Sequence, residues 1–459
     1  MKKESFLIIS LMAFAVCIGF VSCNNSTSPN IANNDVPHNG LNWKEKYNLY
    51  EGKKNIPAIT FSPSIEGDSG SPLSLNEGEG LSIAYGNGTI VIGGGLDGKI
   101  AYSGDWGETW NVVDSGLDDG IRSLAYANGA FVATGINYND DDPNKIIYSS
   151  NGKDWSITRS SNIMRGYFVF SAGDTFFIRS GIGGPGYYSS DGRNWNDCED
   201  GGNDVYWAKN FRDIVYGNGT YVYAGNNKTN GVGLGIINYS KNGGAIWETS
   251  KYIWKNENGE NVWTTNAEYY DEERNPLPCG DILNYFDTLI CGDGTFIIAG
   301  SDYDWQTVSD DDDNEVLIRN PRQYPDGLDA NIITSNDGIN WTRRSCGIEP
   351  DVFGFGAGTF VALSNTAQYS NDKGVSWKKA KGNFGSTAFY DIVYGGGYFI
   401  AMGVSEKQGK DISTLYYSDN AGKSWKAMGN EFDSIITKII YENGLFIAVG
   451  ANGKIFIAK

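Results

Sequence analysis

Histidine is almost missing. One residue, His38, occurs in 459, and it precedes every patterned stretch. Chemistry that depends on a paired imidazole, as the base for a nucleophile or as a zinc ligand, is therefore excluded. Proline is sparse at 12 residues, and no Arg occurs before Arg122. Positive charge is in deficit: 36 Lys and Arg face 55 Asp and Glu, for a formal net charge of −19. A chain this acidic lacks the basic footprint that nucleic-acid phosphates require, so no nucleic-acid partner is expected. Apolar runs of membrane-spanning length are lacking as well. The one extended run, Phe6 to Phe20, follows Lys2 and Lys3 and has the length of a signal h-region.

That run ends at Phe20-Val21-Ser22-Cys23, which resembles a bacterial lipobox, with Phe20 where Leu is usual. The resemblance implies that residues 1–22 are a lipoprotein signal peptide. Cys23 then becomes the acylated first residue, and the protein is held at the outer membrane or cell surface. The polar, Pro-broken stretch that follows reads as a flexible tether, assigned to residues 23–54. Residues 55–459 read as one folded domain. Of the remaining cysteines, Cys198, Cys279, Cys291 and Cys346, an exported protein could bridge four in three ways or keep them as buried thiols.

What is abundant is glycine, 61 residues, and aromatics, 14%. They fall in an internal repeat. Ser, Asp or Asn, Gly and Trp recur in order seven times, first as Ser103-Gly104-Asp105-Trp106-Gly107-Glu108-Thr109-Trp110. The polar position is Asp105, Asn151, Asp191, Asn242, Asp337, Asp372 and Asn420 in turn. The closing residue is Trp110, Trp155, Trp195, Trp247, Trp341, Trp377 and Trp425. Each copy follows a hairpin signal, two apolar runs around an Asn-Gly-like turn, as in Ile83 to Val91 and Ile214 to Val222. Two hairpins in series make a four-stranded unit, with strands A to D. Repetition predicts an all-β propeller of eight blades, or seven if the weak third unit is not a blade. The eighth unit lacks strand D. Ile56 to Phe61 is the strand-like stretch expected to supply it from the N-terminal side.

The Ser-x-Asp-x-Gly-x-x-Trp units resemble Asp-box (BNR) repeats, which occur in sialidases, other glycosidases, sortilin-like receptors and photosystem assembly factors. The resemblance runs from about Leu81 to Lys459 and implies a sialidase-like fold. It implies no activity, because the motif recurs across unrelated functions. Asp or Asn holds the turn, Gly allows its backbone and Trp fills space between sheets, so all fourteen residues are read as structural. Sialidases place a first Arg in an Arg-Ile-Pro-like motif ahead of the boxes; here Asn55-Ile56-Pro57 lacks the cation.

A–B and C–D turns fall on one face of such a disc, and the irregular B–C and D–A connections on the other. Insertions at 251–282 and 301–330 are expected on the second face, at the mouth of the central channel. Candidate ligand-binding residues are Trp254, Trp263, Tyr269 and Tyr270 from the insertions. Arg122, Arg165 and Arg212 join them, where strand A begins. Asp287 and Asp351 stand at the same register and are the weak candidates for catalytic carboxylates. Asp140, Asp141, Asp142, Asp310 and Asp312 offer oxygen ligands of the kind calcium takes, without the spacing of a dedicated loop; no other cofactor is expected. The expectation is a membrane-anchored, non-catalytic binding module for a protein or glycan. A glycoside hydrolase and an assembly scaffold are the alternatives.

Overall fold

The computed structural model describes residues 44–48, 82–94, 98–117, 120–135, 145–158, 166–180, 184–201, 211, 213–229, 232–255, 261–264, 285–301, 303–309, 315–321, 331–407, 410–428, 435–450 and 454–458. They contain strands and turns and no helix. Eight antiparallel sheets follow one another along the chain. Their A strands are Ser82–Gly86, Ile121–Ala127, Gly166–Ala172, Ile214–Gly217, Tyr285–Gly292, Val352–Gly356, Ala388–Gly395 and Ile436–Glu442. Each A strand touches the next, and the eighth touches the first, so the A strands line a closed ring. The protein is an eight-bladed β-propeller. The third unit is a full blade, in the order Gly166–Ala172, Thr175–Ser180, Pro185–Ser189, Asn196–Asp197.

Closure uses a different strand from the one expected. Lys44–Asn48 pairs antiparallel with Lys454–Ala458 and completes blade 8 as its outermost strand. The segment read as tether therefore contributes a strand well before residue 54. Ile56 to Phe61 lies outside the described residues. Lys44–Asn48 is polar because only one of its edges has a neighbour; an outermost strand does not need the apolar alternation of an inner one.

The repeat motif proves to be a weld between blades. Ser103 Oγ accepts the Gly107 N–H at 2.8 Å and donates to Asp105 Oδ1 at 2.8 Å, while Asp105 accepts the Thr109 N–H at 2.8 Å. The shorter copies close the loop one residue earlier: Ser189 Oγ accepts the Gly192 N–H, and Asp191 accepts those of Arg193 and Asn194. Burial opposes ionisation of Asp191, but these hydrogen bonds outweigh it and bring its carboxyl down to about 2. In five copies the Trp indole then donates back to the glycine carbonyl, as from Trp247 to Gly244 at 2.8 Å.

In boxes two to seven the glycine lies against strand B of the preceding blade; in the first, Gly107 lies against Ile457 in strand C of blade 8. At Gly152 φ is +74°, and an added Cβ would stand 2.5 Å from Val91 Cγ2. Gly152→Ala is expected to cost about 2 kcal/mol, read as a lowered denaturant midpoint. An unchanged midpoint would mean that the blade interface can give way.

The rings of strand A seal the other side of the interface. A Cβ on Gly86, Gly356 or Gly395 would fall 2.0 Å from the ring of Tyr126, Tyr394 or Tyr441 in the following blade. At the seam between blades 8 and 1 the corresponding residue is Glu442, beside Tyr85, whose ring stacks on Trp106 at 4.9 Å. Burial pushes the Glu442 carboxyl from 4.5 up to about 7. A raised acid stabilises the fold below the unfolded value, and that contribution is lost as pH rises through about 7. Glu442→Gln should therefore stabilise the protein by about 1–2 kcal/mol at pH 8, after discounting for partial exposure. It should change nothing near the unfolded-state value. Melting curves across that range, if parallel for both proteins, would remove the effect.

Candidate functional site

The A–B turns and Asp boxes share one face. Asn87 Nδ2 in an A–B turn donates to Gly129 O at 3.0 Å and to Ser150 O, in the box loop of the next blade, at 2.9 Å. Asn218 repeats this with Gly294 and Asn336. The opposite face carries the uneven connections. In blades 4 and 7 the B–C hairpins run on as long ribbons, Thr220–Thr229 with Val232–Ser240 and Tyr398–Lys407 with Lys410–Ser418. In blade 5 a separate hairpin, Tyr303–Ser309 with Glu315–Pro321, occupies the 301–330 insertion.

The 251–282 insertion goes elsewhere. Lys251–Lys255 adds in parallel to strand D of blade 5, Asn340–Arg344, and Asn261–Thr264 adds outside it. Trp254 and Trp263 thus lie on the outer rim of the disc, not at the channel mouth. In that hairpin Trp254 pairs with Val262 and Trp263 with Ile253. The rim placement follows a wider habit. Glu199–Asp200 adds to Ile246–Thr249 of blade 4, and Lys381 bridges Ser424 in blade 7, covering otherwise open strand-D edges.

Where strand A begins, a bulge inserts one residue in several blades. The extra residues are Arg122, Tyr167, Asp287, Tyr390 and Thr437. Tyr167, not Arg165, therefore holds the blade 3 position: it stands five residues before the end of strand A, as Arg122 does, while Arg165 lies two residues earlier, and blade 3 has Ser171 in place of the repeat tyrosine from which the count was made. The side chain of Asp287 is outside the description. So are Arg165, Arg212, Tyr269, Tyr270, Asp140, Asp141, Asp142, Asp310, Asp312, Cys23 and Cys279.

At this face of the channel, Arg122 and Arg179 converge on one ring. Their guanidinium carbons lie 4.9 and 4.5 Å from the centroid of Phe168. Arg179 also stands 5.7 Å from the Phe211 ring and donates from Nη1 to Phe211 O at 2.8 Å. Phe211 packs at a tilt on Tyr223 at 4.7 Å, and Tyr223 meets Trp247 edge-on at 4.9 Å, so the cations rest on a packed aromatic wall. Arg179 was not among the sequence candidates. The one available signal is its place in strand B of blade 3, where the other blades carry Gly93, Thr134, Ala224, Ala299, Leu363, Met402 and Val449.

Across the ring stands Asp351. Asp351 Oδ2 accepts the Phe389 N–H of the next blade at 3.1 Å. Burial raises its carboxyl, and the hydrogen bonds from Phe389 and Ser364 oppose the rise. Deeper in the channel, Asp391 pairs with Lys438 at 3.0 Å, both nearly buried, and accepts the Ile439 N–H at 3.3 Å. Asp213, from blade 4 on the opposite side, is within electrostatic reach of both. Burial and the charge of Asp391 push its carboxyl well above the ordinary value, against the Ile214 N–H and Lys438. This set of three charges inside the ring was not foreseen from sequence.

Cys198, Cys291 and Cys346 hold thiols rather than disulfides, and burial pushes those of Cys198 and Cys346 up to about 12. Such thiols are unreactive. Among the described residues no three His, Cys, Asp or Glu side chains gather as a metal site.

The geometry defines a β-propeller with a cationic-aromatic patch at one channel mouth. No protein-family model matches the sequence, and no curated protein matches it. Solved structures of similar shape include YCF48 bound to D1 peptide, with 13% identity, TM-score 0.45, and 94% of this chain and 99% of that chain covered. YCF48 from Cyanidioschyzon merolae aligns at 14% identity and TM-score 0.42, over 74% and 94% of the two chains. BamB from Moraxella catarrhalis aligns at 10% identity and TM-score 0.45, over 82% and 95%.

Proposed function

We propose that the protein is an exported lipoprotein, anchored through Cys23 at the outer membrane or cell surface. Its propeller binds a protein partner at the B–C/D–A face without catalysis. The observation that carries this reading is the pairing of Arg122 and Arg179 on Phe168. Two planar cations held by aromatic packing, at a mouth whose far side bears Asp351, suit a segment that presents a carboxylate beside an apolar group. Asp351 spends its carboxylate on the neighbouring blade, which favours a structural role over acid catalysis.

The test is capture of partners from envelope extract by the purified protein, followed by titration of the partner recovered. Arg122→Ala with Arg179→Ala should weaken binding at least about tenfold and flatten its salt dependence. Binding at full strength by the double variant would remove the patch from the account. Release of sugar from a fluorogenic glycan panel, abolished by Asp351→Asn, would replace the binding module with a glycoside hydrolase. Retention of a glycan array ligand in place of protein would reassign the partner class.

A further inference from the structure

We infer that the propeller stands with its Asp-box face toward the membrane and opens its Arg122–Arg179 mouth away from it. This rests on the anchor proposed at Cys23 and adds a direction to it. The closing strand sets that direction. Lys44 lies opposite Ile457, and Asn48 opposite Lys454. Strand C of blade 8 runs from its B–C turn toward the Asp-box side, since Ala458 pairs with Phe446 beside the A–B turn and Ile455 with Val449. A second contact fixes the same point. A Cβ on Gly107, inside the first Asp box, would be 2.5 Å from Ile457 Cδ1. The Lys44 end of the strand is therefore at the Asp-box face, on the outer rim, and the Asn48 end is at the other face.

The chain thus reaches the disc from the Asp-box side. Twenty residues, 24–43, separate Cys23 from Lys44. A coil of that length spans about 25 Å on average, and about 70 Å when fully drawn out. The disc is about 20 Å thick, judging from strands of five to seven residues. Turning it over would require the linking chain to climb the whole rim before meeting the strand, which takes up most of its average span and leaves the Asp-box face as the side favoured toward the anchor. The attached face is also the uniform one. Its Asp-box carboxylates are committed to their own loops, at Asp105, Asp191 and Asp372. The long hairpins of blades 4, 5 and 7 project from the opposite face. A partner is accordingly met on the side away from the anchor, at least a disc's thickness above the bilayer. It engages through a water-exposed segment and not through lipid or a membrane-embedded surface.

The experiment places one dye on each face of a single blade, through Val375→Cys in the blade 6 Asp box or Asn365→Cys in its B–C turn. Both sites are exposed. Cys279→Ser serves as background. The full lipidated chain is reconstituted in vesicles carrying an acceptor lipid. Energy transfer should be clearly stronger from position 375 than from 365. Equal or reversed transfer would overturn the orientation. Failure of the anchor reads differently: the chain, and not only its Cys23→Ala variant, would stay out of the membrane fraction. In that event a hexahistidine tag ahead of residue 24, on nickel-chelating vesicles, measures the same geometry, and 375 should again lie nearer the bilayer.

Discussion

Lys438→Met should lower stability by about 3–5 kcal/mol, because it leaves the nearly buried Asp391 carboxylate without its cation. The loss extends across the channel. Asp213 already has its carboxyl raised by burial and by Asp391, and Lys438 is the charge that counters this. Without Lys438, Asp213 should favour the protonated form more strongly in the folded state. An acid raised on folding stabilises below its unfolded value and loses that contribution as pH rises through the folded one. The deficit of the variant should therefore be largest at neutral pH and shrink as pH falls toward 4. Adding Asp391→Asn should recover much of the loss, since replacing both members of a buried pair costs less than removing one. Thermal unfolding of the two variants from pH 4 to 8 checks this. A single variant as stable as wild type at pH 7 would show that water reaches the triad and screens it.

Deleting residues 24–48 should have a comparable effect by a different route. Lys454–Ala458 would become an open edge, and Ile455 and Ile457, buried now, would lose one neighbouring strand. The expected cost is about 4 kcal/mol, from uncovered apolar surface and lost pairing, together with edge-to-edge association. Melting temperature and light scattering read the two consequences separately. Added in trans, a peptide covering residues 41–50 should restore the midpoint, since the register Lys44↔Ile457 and Asn48↔Lys454 is specified by the remaining edge. A truncated chain that melts with wild type and stays monomeric would mean that the ring does not need its latch.

The eight blades were legible because their signals are local. An Asn-Gly turn or a Ser-Asp-Gly-Trp loop satisfies its own hydrogen bonds within a few residues, as Asp105 does with Thr109. Such chemistry leaves a mark in sequence wherever it occurs. The latch was not legible in the same way. Ile56 to Phe61 has the apolar pattern of a strand, whereas Lys44–Asn48 reads as polar linker. An outermost strand is selected by the edge it meets, not by its own pattern. Trp254 and Trp263 were misplaced for a related reason, because parallel addition to Asn340–Arg344 joins segments almost ninety residues apart. Arg122 was found by counting back from a repeat tyrosine. The count failed in blade 3, where Ser171 replaces the repeat tyrosine and the pairing puts Tyr167 at the matching position.

By itself, the sequence determined the repeat, the all-β class and the division of the disc into a uniform and an irregular face, and it narrowed the blades to eight or seven; the complete third sheet decided for eight. Turn and box residues act over short distances, so each copy announces itself. Tertiary structure decided which segment shuts the circle, that Arg179 joins Arg122 on Phe168, and that Asp213, Asp391 and Lys438 meet in the channel. Those three lie in blades 4, 7 and 8. Nothing in their own neighbourhoods marks them, because their energies depend on charges brought together only when the circle is complete.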